Sequence, residues 1–86
     1  MFLGKNAGKS NSRVNVIAIG VYAGASGGNN GIHLGYYAGK NTTGAANISM
    51  GVRALEYNTT GYSNIAIGDS ALRRGTSGYN NVAIGV

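Results

Sequence analysis

Short apolar alternations recur along the chain, each closed by a glycine: Ile17-Ala18-Ile19-Gly20, Ile32-His33-Leu34-Gly35, Ile48-Ser49-Met50-Gly51, Ile65-Ala66-Ile67-Gly68 and Val82-Ala83-Ile84-Gly85, with Phe2-Leu3-Gly4 as a clipped first copy. Successive side chains on a strand point to opposite faces, so each copy sets two aliphatic residues on one face and its middle residue on the other. No stretch sustains the apolar stripe of a helix. The closing glycines stand at 4, 20, 35, 51, 68 and 85, a period of 15 to 17, and an alanine follows three places after each of the first five, at 7, 23, 38, 54 and 71. A fixed period of this kind marks a repeat architecture, in which each unit completes its neighbour.

The second half of each unit carries turn residues. Asn41-Thr42-Thr43-Gly44, Asn58-Thr59-Thr60-Gly61 and Gly75-Thr76-Ser77-Gly78 lead through to Asn47, Asn64 and Asn81. Glycine supplies positive φ, while Asn, Thr and Ser side chains bond back to nearby backbone. Each unit therefore reads as strand, corner, short strand and turn. Stacked at a strand spacing of about 4.8 Å, the units predict an all-β, parallel β-roll or β-solenoid (or β-prism) of about five 15–17-residue repeats, roughly 24 Å long. Two columns are predicted as its structural core: Ile17, Ile32, Ile48, Ile65 and Val82 in one, Ile19, Leu34, Met50, Ile67 and Ile84 in the other. The middle residues Ala18, His33, Ser49, Ala66 and Ala83 are mostly small, which suits either the close approach of another sheet or subunit or a plain exposed face.

Composition agrees with a coil. Sixteen glycines and no Pro, Cys or Trp among 86 residues fit neither collagen, which needs Gly at every third place with abundant Pro, nor a disordered tract, which rarely holds 43% hydrophobic residues. Two aliphatic anchors in each unit offset little of the ordering entropy of a glycine-rich chain, so the energetics favour oligomerisation. Residues 1–86 read as a single repetitive segment. The chain begins inside one strand motif and stops one residue past the glycine of another, as expected of a piece of a longer fibre.

Charge and candidate chemistry exclude more than they supply. Without cysteine there is no disulfide or thiolate metal site, and one His with two acids, Glu56 and Asp69, leaves no catalytic constellation. No enzyme activity, cofactor or metal is expected. The net charge of +5 comes from scattered cations, with Arg73-Arg74 the longest run, so a nucleic-acid partner, which needs convergent cations, is not expected. No stretch has the length of a membrane span. Gly4-Lys5-Asn6-Ala7-Gly8-Lys9-Ser10 mimics a phosphate-binding loop but has three residues between its glycines where that loop has four. His33, in a slot otherwise held by Ala or Ser, reads as a surface or interface residue. The Asn-x-Ser/Thr triplets at 41, 47 and 58 read as products of Asn/Thr-rich turns. Thr42-Thr43 and Thr59-Thr60 raise an ice-binding solenoid as a rival, but they fall in predicted turns. Tyr62 and Tyr79, equivalent after the turn glycine, are predicted to stack as an exposed ladder and form the candidate surface patch for a glycan or protein.

The run Asn64-Ile65-Ala66-Ile67-Gly68-Asp69-Ser70-Ala71-Leu72, followed by Gly75-Thr76-Ser77-Gly78-Tyr79-Asn80-Asn81-Val82-Ala83-Ile84-Gly85, resembles the N-x-A-I-G-x-x-A-L…N-T-T-G repeats of bacteriophage tail and head fibres and related bacterial surface proteins. It is also similar to the head repeats of trimeric autotransporter adhesins. The likeness covers nearly the whole chain and is strongest from about residue 39; Val16 and Gly31 stand where Asn precedes the later strands. The resemblance implies a homotrimeric shaft on a virion, or alternatively on a bacterial cell surface. Its partners would be copies of itself, other fibre or virion proteins and a host-surface glycan or protein, and its role host attachment or projection of a receptor-binding tip.

Overall fold

A computed structural model describes residues 2–8, 16–25, 30–57, 60–74 and 77–85. Every apolar alternation is a strand: β1 (Phe2–Leu3), β2 (Ile17–Ile19), β3 (Ile32–Leu34), β4 (Ile48–Met50), β5 (Ile65–Ile67) and β6 (Val82–Ile84). They form one parallel sheet in chain order. Ile17 lies beside Ile32, then Ile48, Ile65 and Val82, so equivalent positions stack without slip. The protein is an all-β solenoid with, among the described residues, one strand in each coil.

The second wall of the coil is not a strand. From each closing glycine the chain runs through tight turns, with the Ala23 N–H donating to Gly20 O at 3.1 Å and the Ala38 N–H to Gly35 O at 3.2 Å. The second residue after the glycine adopts positive φ in every coil from Asn6 to Ser70, and so does the fourth, Leu55 and Leu72 included. This alternation turns N–H and C=O groups along the stack: Gly24 N–H donates to Ala38 O, Gly39 N–H to Ala54 O and Leu55 N–H to Ala71 O, at 2.8 to 3.0 Å. A ladder between coils forms without extended backbone, which is why a short strand was the wrong reading for these residues.

Inside and outside are also reversed from the expected arrangement. The middle residues Ala18, His33, Ser49 and Ala66 are fully buried, against Ala23, Ala38, Ala54 and Ala71 on the opposite wall. The columns Ile17, Ile32, Ile48, Ile65, Val82 and Ile19, Leu34, Met50, Ile67, Ile84, predicted as core, face outward: Ile17 and Ile19 are about two-fifths exposed, and Val82 and Ile84 more. Space decides this. A Cβ on Gly24 would lie 3.1 Å from the Ala18 Cβ and 3.0 Å from the His33 ring, so the two walls stand too close for facing rows of isoleucine.

The third corner is held by polar side chains. Asn47 Nδ2 donates to Gly44 O and Gly61 O, and its Oδ1 accepts the Asn64 N–H at 3.0 Å. Asn64 repeats the pattern, donating to Gly78 O and accepting the Asn81 N–H. Asn47 closes its own turn through Gly44, and both amides tie one coil to the next, so their buried polar groups are satisfied. Val16 takes the equivalent place before β2 and packs with Ala18 and Ala23.

Candidate binding surfaces

Among the described residues no cleft or enclosed cavity opens, and the exposed side-chain clusters lie on the outer surface. Three side-chain clusters there, and one inside, follow from the period.

Tyr62 and Tyr79 pair as an isolated parallel bridge. Their rings stack with centroids 5.1 Å apart and planes within 4°, and both are about half exposed. This is the predicted ladder. The rings cover one another's inner faces, and the rest of each ring and its hydroxyl is open to solvent.

A second cluster lies on the corner after β2, β3 and β4. Tyr36 stacks on Tyr37 with centroids 4.1 Å apart, and Tyr22 meets Tyr37 edge-on at 5.3 Å. Lys40 Nζ lies 4.5 Å from the Tyr37 centroid and 4.9 Å from that of Tyr22, while the Arg53 guanidinium lies 5.9 Å from the centroids of both Tyr36 and Tyr37. A side-chain hydrogen bond with Tyr36 holds the Tyr37 phenol above its ordinary pKa. Sequence reading did not single out Tyr36, Lys40 or Arg53. The signal was present: Arg53, like Tyr22 and Tyr37, is the second residue after a closing glycine, so stacking brings it to the same corner.

The third cluster involves Arg73-Arg74. Arg73 Nε donates to the buried Glu56 carboxylate at 2.9 Å, a bond that raises the guanidinium pKa further. Both guanidinium groups lie within 5.5 Å of the Tyr57 ring centre. Arg73 is thereby committed to its own fold.

His33 is interior, not at a surface as expected from the sequence. It is 1% exposed, with Nδ1 hydrogen-bonded to Ser49 Oγ at 2.6 Å. Desolvation lowers its pKa from 6.5 to about 4. The folded coil therefore favours neutral imidazole, and this contribution is complete above pH 6.5. As pH falls from 6.5 to 4 the unfolded chain takes up a proton that the folded chain refuses, costing about 3 kcal/mol of stability at 1.36 kcal/mol per unit. Urea midpoints measured between pH 7.5 and 4.5 are expected to fall in this window for the native sequence and to lose most of that slope in His33→Ala.

Thr42 also turns inward, its hydroxyl donating to Leu55 O at 2.6 Å. It is not part of an exposed threonine array. Asn58, Thr59, Gly75 and Thr76, together with Lys9 and Ser10 of the apparent phosphate loop, lie outside the described residues. No family model, curated protein or solved structure matches the chain.

Proposed function

We propose that this chain is a structural segment of a fibre or adhesin that assembles with copies of itself and serves attachment to a host surface. The observation that carries the reading is the outward pair of aliphatic columns. Their large side chains lie on one outer face of the coil, while the apolar part of the interior is built mainly from alanines and Leu55, beside buried polar groups such as His33 and Ser49. A coil with so little buried apolar volume gains stability by covering that face, and a contiguous apolar strip is the usual mark of an interaction surface. A second copy offers the same strip at the same period, which makes self-association the matching partner. The resemblance to fibre repeats supplies the number three and the virion setting, with a bacterial surface adhesin as the alternative.

Sedimentation equilibrium tests this reading. The native chain is expected to sediment at three times its 8.7 kDa mass. Ile67→Asp, which sets a charge on the outer column, is expected to abolish the assembly, because an unpaired carboxylate would be desolvated there. Lys40→Ala is expected to leave it intact. A stable folded native monomer, or an Ile67→Asp trimer, would overturn the proposal.

A further inference from the structure

We propose that the corner formed by Tyr36, Tyr37, Lys40 and Arg53 binds an acidic saccharide, with a sugar ring against Tyr36 and its carboxylate on the Arg53 guanidinium. Tyr36 is 42% exposed and is braced from one side by Tyr37. A rigid, supported tyrosine supplies contact area at little entropic cost, and its phenol offers a polar edge to sugar hydroxyls. The charge at this corner points to an anion. Among the described residues neither Lys40 nor Arg53 has a carboxylate partner: the nearby Glu56 is buried and holds Arg73. Arg53 is also incompletely satisfied, its buried Nε finding no acceptor. It is held against the tyrosines by ring contacts alone. A small pivot off the rings would turn Nε and a terminal nitrogen toward one carboxylate, the two-bond geometry in which arginine surpasses lysine. Lys40, beside the Tyr37 and Tyr22 rings, adds attraction without fixing orientation.

Other partners fit less well. Single-stranded nucleic acid needs successive aromatic faces and a track of cations, whereas Tyr36 and Tyr37 stack on each other and, among the described residues, this corner gathers two cations without a carboxylate partner. The site deepens the attachment reading and rests on it for its meaning, but its geometry belongs to a single coil stack.

Titration calorimetry with a galacturonate hexamer tests the site, with maltohexaose as the neutral match and oligodeoxythymidylate as the polyanion control; tyrosine fluorescence gives a second readout, since the chain has no tryptophan. Galacturonate is expected to bind, to weaken with added salt, and to bind roughly tenfold or more tighter than maltohexaose. Arg53→Gln and Tyr36→Ala are each expected to lose roughly tenfold, with Arg53→Lys in between. Circular dichroism establishes that each variant is folded, and sedimentation of the same samples reports assembly separately. A trimer that ignores galacturonate would overturn the site alone. Equal binding by folded Arg53→Gln and Tyr36→Ala, or tighter binding of oligodeoxythymidylate, would also overturn it.

Discussion

Gly51→Ala is expected to abolish cooperative folding, a large effect for a single methyl group. Gly51 has φ of +127°, and a Cβ there would lie 2.6 Å from Gly68 O and 2.8 Å from Gly68 C. The obstacle is the backbone of the next coil, so relief requires parting two coils and stretching the ladder that joins them. Unfavourable φ alone costs about 1–3 kcal/mol. Forced separation brings the total to about 4 kcal/mol or more, a large share of a small domain's stability. Gly85 is an internal control, since it shares the strained conformation, with φ of +119°, but a Cβ there meets nothing within 4 Å. Gly85→Ala should therefore show the φ cost without the clash. Thermal melts of the two variants separate the terms, and equal losses would refute the steric account.

The second large effect concerns how the coil interior is filled. His33 fills space that a side chain at Gly39 would need: a Cβ on Gly39 would lie 2.5 Å from His33 Cε1 and 2.7 Å from Cγ. In later coils the volume is divided the other way. Leu55 and Leu72 take the position of Gly39, while the middle residues shrink to Ser49, Ala66 and Ala83. Phe2, which pairs in register with Ala18, shows the first arrangement again, since a Cβ on Gly8 would fall 2.6 Å from its ring. Gly39→Leu is accordingly expected to cost about 3 kcal/mol or more by overpacking, and His33→Ala about 2–4 kcal/mol by the cavity it leaves. The double variant recreates the Ala66 and Leu72 pairing and is expected to recover most of the loss. Urea denaturation of the four proteins measures the coupling directly. Additive losses would show that the two side chains do not share one space.

Both predictions rest on positions that the sequence marks but does not explain. The glycines at 20, 35, 51 and 68 stand out by their period, and composition alone makes them look like flexible corners. Only stacking shows that each lies against the carbonyl of the next. The change from Gly39 to Leu55 is likewise visible in the sequence, yet its reason is the size of His33 across a narrow interior.

The candidate surfaces divide in the same way. Tyr62 and Tyr79 were legible because they occupy the same place in two repeats, and parallel stacking brings equivalent residues within ring contact. The cluster of Tyr36, Lys40 and Arg53 was harder to see. Its members occupy different places in their repeats, and they converge because the turns after the closing glycine alternate left-handed residues and so direct side chains outward at one corner.

The period by itself determined the six strands, their parallel order and their register, since identical units can stack only with like beside like, but not the turns of the second wall. It determined which two faces each strand would have, but not which of them would be inside. An alternation of large and small residues has no preferred direction until the distance to the opposite wall is known. In this coil the alanines at 23, 38, 54 and 71 stand so close to the sheet that the small face turns inward and the isoleucines turn out. Tertiary structure decided that, through the width of the coil.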